Sequence, residues 1–185
     1  MIRPFLRVIA TAAVAVGCAA CGKETPTPTP TATPATTPAV TPPVTLVSLA
    51  GLRASVPELR GWTRGDVVAQ ESTSEERGTQ VVTTFTRESE KLELEIADTG
   101  GAAKAIESLE HIAGSNTNRT VGNGYFKGSM LGTFPAVESF NTQEKLGEVS
   151  VLIRRRFIIH VAGSGIKDAA PMRALAQAVD TSRLR

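Results

Sequence analysis

Residues 148–162 read EVSVLIRRRFIIHVA, and this stretch limits the architectures open to the chain more than any other part downstream of the N-terminal segment. Val149, Val151 and Ile153 fall on one face of an extended chain, and Phe157, Ile159 and Val161 repeat the pattern. Their neighbours Leu152 and Ile158 are also apolar, so both faces need at least partial cover. A run of this length exceeds a typical strand. It therefore predicts two strands that reverse near Arg154–Arg155 and lie in mid-sheet.

The flanking sequence continues the β pattern. Strands are expected over 66–73, 79–87, 91–97 and 132–141, with 119–127 extended and turns at 75–78 and 88–90. The cleanest alternation is KLELEIA, which places Leu92, Leu94 and Ile96 on one side and Lys91, Glu93 and Glu95 on the other. Two helices interrupt the strands. One covers 102–113, with Ala105, Ile106, Leu109, Ile112 and Ala113 on one stripe and Gly114 after its end. The other covers 169–180, capped by Asp168, with Pro171 tolerated in its first turn. The segment 46–59 contains an apolar stretch of unsettled state.

The two halves echo each other. GDVVAQES at 65–72 and GTFPAVES at 132–139 share Gly, Ala, Glu and Ser at an offset of 67, and the same offset carries Ala102-Ala103 onto Ala169-Ala170. A second echo, GWTRG at 61–65 against GYFKG at 124–128, has a different offset. The expectation is an α+β fold. It has a largely antiparallel sheet of about six or more strands, two helices on one face, and a duplicated strand-strand-strand-helix unit. The face without helices would then carry Glu93, Glu95, Leu152, Ile158 and His160, and would be the contact surface.

The first residues carry an address. Arg3 and Arg7 precede the apolar run VIATAAVAV, too short to span a bilayer and suited to a secretory signal. The run ends in Ala15-Val16-Gly17-Cys18, which resembles the lipobox of bacterial lipoproteins. The resemblance implies diacylglycerol transfer to the Cys18 sulfur, cleavage before it and acylation of the new amino group, with residues 1–17 removed as signal peptide. Cys21, preceded by Ala19-Ala20, is a competing acceptor, and a plain secretory cut near Ala20 is a further alternative. Two acyl signals make a stable anchor where one is marginal. Residues 18–45 form the tether that follows. Seven of the eleven prolines lie in its uncharged part from Thr25 onward, which favours extended polyproline II and a reach of roughly 60 Å at about 3.1 Å per residue. The globular domain spans 46–185.

Composition excludes some classes. Without Arg3 and Arg7 the basic and acidic residues balance at 18 each, so no long-range field steers the domain to nucleic acid. Cys18 and Cys21 are the only cysteines, which leaves the domain without a disulfide or thiolate ligand. Its histidines, His111 and His160, lie in no metal-binding spacing, and no metal or cofactor is expected. Ser164 and Lys167 match S-x-x-K without the companion motifs that give it meaning. The glycine-rich run 122–128 lacks the phosphate-loop spacing and suits a hairpin or bulge. Glu93 and Glu95 read as solvated strand-face charges, Arg154–Arg156 as a basic turn that protects solubility, and Trp62 as a core anchor. The resulting expectation is a non-enzymatic lipoprotein of the bacterial cell envelope. It would be membrane-anchored through its acyl groups and bind an envelope protein partner. An envelope serine hydrolase using Ser164 and Lys167 is the alternative.

Overall fold

The computed structural model describes residues 45–72 and 78–185. The expected signal peptide, Cys18, Cys21, most of the expected tether and the turn expected at 75–78, save Gly78, lie outside the described residues. The element order is α1 (Leu49–Ser55), β1 (Thr63–Arg64), β2 (Val68–Ser72), β3 (Gly78–Arg87), β4 (Glu90–Asp98), α2 (Ala103–Gly114), β5 (Asn118–Val121), β6 (Gly124–Leu131), β7 (Phe134–Asn141), β8 (Leu146–Ile153), β9 (Phe157–Ser164) and α3 (Ala170–Ala178). A 3-10 turn, Thr181–Arg183, follows. The unsettled segment 46–59 thus holds α1, capped by the Ser48 hydroxyl accepting from the Gly51 N–H. Among the described residues no helix is long and apolar enough to cross a membrane.

All nine strands join one antiparallel sheet in the order β1-β3-β4-β9-β8-β7-β6-β5, with β2 beside β1 on the outer edge of β3. The fold is α+β, as the alternation predicted. The 148–162 stretch is the β8–β9 hairpin, in mid-sheet as expected. Its reversal is the three-residue connection Arg154–Arg156 between the paired Ile153 and Phe157, with Arg154 and Arg155 both at φ near +50° (52° and 51°), the left-handed pair of a type I′ turn, and the Arg156 N–H donating to the Ile153 carbonyl. The segment 119–127 is not one extended piece. It breaks at Gly122-Asn123 into the β5–β6 hairpin, because Gly122 supplies a φ of 55°.

The duplicated unit is visible in the strand layout. Moved on by 67 positions, β2, β3, β4 and α2 fall on β7, β8, β9 and α3 within a residue or two at most shared boundaries. The inner strands of the two units, β4 and β9, pair with each other. Their register places Leu94 opposite Val161, which are each other's counterparts at that offset. A pseudo-two-fold axis therefore passes through this pair. The 61–65 echo does not carry over, since β1 pairs with β3 whereas β6 pairs with β7.

The main core lies on one face of the sheet. There Leu92, Leu94 and Ile96 meet Val149, Val151, Ile159 and Val161 beneath Leu52 of α1 and Met172 and Leu175 of α3. Two helices do share a face, but they are α1 and α3. The helix expected to join them, α2, lies on the opposite face, where Ile106 and Leu109 pack on Leu152, with Val137 and Ile158 beside them. Side-chain chemistry explains the crossing. On that second face β4 offers Lys91, Glu93 and Glu95, while Val137, Leu152 and Ile158 form the apolar patch that an amphipathic helix can bury.

Candidate functional site

With α2 placed, the second face divides. Leu152 and Ile158, expected on the contact surface, are covered by the helix. Left open among the described residues is a band toward the far ends of the strands. A single cross-strand row runs through it: Arg119, Phe126, Ser139, Glu148, Ala162 and Glu93 are successive register partners from β5 to β4. Over most of this row lies a groove of about 700 Å³ that reaches from Arg119 to Ala162 and includes Leu146 and Val121. That volume lies within the range of small-molecule and peptide sites. Leu146 and Val121 are 45% and 58% exposed, unusual for large apolar side chains on a sheet. Arg119 stands over the Phe126 ring at 5.5 Å. The Ser139 hydroxyl donates to Glu148 at 3.3 Å.

The adjacent row holds a polar trio that sequence patterning did not flag. Ser150, His160 and Glu95 are register partners on three neighbouring strands. Ser150 Oγ lies 2.9 Å from His160 Nδ1. Glu95 is half-buried, not solvated. Burial pushes its carboxyl above the usual range, His160 pulls it back in part, and Glu93 adds to the rise. The residue types match a hydrolytic triad, yet the backbone N–H groups here lie in ladders with strands on both sides, so they are committed to the sheet rather than aimed at a developing oxyanion. Ser150 and His160 face each other across the β8–β9 hairpin, so the reversal expected near Arg154–Arg155 brings them close. Glu95 is distant in sequence, and only the β4–β9 register puts it beside them.

Linkage gives this site a measurable sign. A carboxyl whose folded-state pKa is raised lowers stability at pH values where it must ionise, and the penalty disappears where both states are protonated. Glu95→Gln is therefore expected to raise the urea midpoint at pH 7 and to leave it nearly unchanged at pH 4. A midpoint that falls at pH 7 would mean that the His160 attraction outweighs burial.

Ser164 and Lys167 line different depressions. Ser164 is the last residue of β9, opposite Lys91 and Leu146, and lines a small cavity with Glu93 and Gly147. Lys167 is exposed and lines other depressions, one beside Trp62 and Asp168 and one beside Lys145 and Glu88. The helix α3 starts one residue later than expected, so its N-cap is Ala169 and not Asp168; the Asp168 carboxylate accepts from the Ala170 N–H just before the first turn. Trp62 is half-buried against the core with Arg87 4.5 Å above its ring. His111 is exposed on α2. Among the described residues no group of three or more His, Cys, Asp or Glu side chains is placed to hold a metal ion.

The basic turn is exposed at Arg154 and Arg155, as expected, and is also a junction. Arg154 donates to the Leu184 carbonyl at 2.5 Å, Arg155 pairs with Glu110 of α2 at 2.8 Å, and Arg156 grips both oxygens of Asp98. Asp98 is 1% exposed and also accepts from the Val47 and Gly100 N–H groups, while Arg156 reaches the Thr45 carbonyl. A second buried carboxylate, Glu138, takes Arg173 of α3, Lys127 and the Tyr125 hydroxyl on the core face. Burial and that carboxylate push the Tyr125 hydroxyl up to about 12. The Glu138 network lies on the core side of the strands that floor the groove, whereas Asp98 and Arg156 tie the opposite ends of β4 and β9. No protein-family model, curated protein or solved structure matches the chain.

Proposed function

We propose that this protein is a non-catalytic binding module of the bacterial cell envelope, held to a membrane by acylation at Cys18 and engaging an envelope partner through the open band of the second sheet face. The observation that carries the binding half is the groove over Phe126, Ser139 and Ala162, with Leu146 and Val121 left in solvent at its rim. A sheet face without a binding role would be expected to place polar side chains there. The anchoring half rests on Ala15-Val16-Gly17-Cys18 and the proline-rich run that follows, which together supply an attachment point and a spacer.

One experiment addresses both halves. A photoreactive amino acid is placed at Ser139 in the groove, or at exposed Gln177 on the opposite side of the sheet, in cells producing the chain with Cys18 or with Cys18→Ala. The expected result is a discrete adduct from position 139 and none from 177, in the membrane fraction with Cys18 and in the soluble fraction with Cys18→Ala. Equal adducts from both positions would overturn the groove as the contact surface. Membrane retention of Cys18→Ala would overturn Cys18 as the anchor.

A further inference from the structure

Resting on the binding-module reading, we infer that the groove takes a short extended peptide with free ends, its carboxylate on Arg119 and its amino group on Glu148. Charge is placed for such an occupant. Neither Arg119 nor Glu148 forms an ion pair among the described residues, although most acidic side chains on the core face and at the Arg154–Arg156 turn are paired. Both are exposed and stand on one register row with Phe126 and Ser139 between them. Their backbones lie three strand spacings apart, about 14 Å at roughly 4.8 Å per spacing. The Arg119 guanidinium over Phe126 and the Glu148 carboxylate at Ser139 stand nearer to each other than that, a span that an extended chain covers in about two to three residues. Between the two charges the floor is Phe126 and Ser139, with Leu146 and Ala162 beside Glu148. It is a surface for apolar side chains, with one hydroxyl to meet a peptide group.

The two ends select differently. The guanidinium of Arg119 presents a planar fork that matches a carboxylate with two parallel hydrogen bonds. Its stacking over Phe126 limits the orientations it can take, so less freedom is lost on binding. Glu148 presents an acceptor to an ammonium group, and Ser139 already donates to one of its oxygens. A peptide lying the other way would set its carboxylate against Glu148 and its ammonium against Arg119, so the groove reads direction as well as length.

The test uses the full chain and a mixture of di- and tripeptides built from Ala, Val, Leu and Phe, with binding read by equilibrium dialysis and by calorimetry on the retained members. Saturable retention of free peptides is expected. Amidation of the carboxylate and Arg119→Gln should each weaken binding about tenfold, without further loss when combined, since both remove the same contact. N-acetylation and Glu148→Gln should behave as a second such pair. Retention of no member of the mixture, or equal affinity for free and amidated peptides, overturns the inference. Adducts from position 139 in cells together with no peptide retention would overturn this inference while leaving the binding module standing.

Discussion

Arg156→Ala is expected to lower folding stability by about 3 kcal/mol, the low end of the range for orphaning one partner of a buried ion pair. The low end applies because Arg156 keeps 21% of its side-chain surface in water, whereas Asp98 keeps none. Burial pushes the Asp98 carboxyl up, but Arg156 and the Val47 and Gly100 N–H groups together hold it below the usual carboxylate range. In the native protein that depressed value adds stability that is complete above about pH 4, the ordinary carboxylate value, and fades as pH falls through the folded-state value. Without Arg156 burial dominates and the sign reverses, since the carboxyl must then ionise unpaired as pH rises. Urea midpoints at pH 7 and pH 4 check this. The loss should be largest at pH 7 and shrink at pH 4, and an equal loss at both would show that lost packing, not the orphaned charge, is responsible.

Gly128→Ala should be comparably damaging, by about 3 kcal/mol, at the upper end for overpacking. A methyl group there would lie 2.0 Å from the Ile112 carbonyl oxygen and 2.9 Å from the Ala113 Cα. These are backbone atoms of α2, so the helix itself must lift from the sheet. Lifting it exposes Val137, Leu152 and Ile158. The expected result is a lower denaturation midpoint together with faster amide exchange in α2 than in α3. Gly114→Ala is the control: it lies in the same helix with nothing within 4 Å of the added methyl, and it should leave the midpoint unchanged or slightly higher. If both variants lose stability equally, α2 is not seated on Gly128.

The β8–β9 hairpin was legible because its information is local. Alternation in residues 148–162 names the core-facing side chains, and the apolar residues on the reverse side announce a second cover. The identity of that cover was not legible. An amphipathic stripe such as Ile106, Leu109 and Ala113 says that a helix must bury one side, not which sheet face receives it. The open groove inherits the same uncertainty, since it exists only where α2 stops. Gly163 has a role that its sequence context does not show: it lies in β9 opposite Gly147, where the missing side chains leave room for Met172 of α3.

The amino-acid order alone determined the strand and helix spans of most of the domain and the twofold repetition of its strand unit. Those features follow from periods of two and 3.6 residues and from turn chemistry, all set within a few neighbours along the chain. Tertiary structure alone decided that α2 and α3 take opposite faces, that Arg154, Arg155 and Arg156 each hold a different element, and that Ser150, His160 and Glu95 share one row. These depend on register between strands distant in sequence. Register is fixed by the summed burial of whole faces, a quantity that no single segment carries.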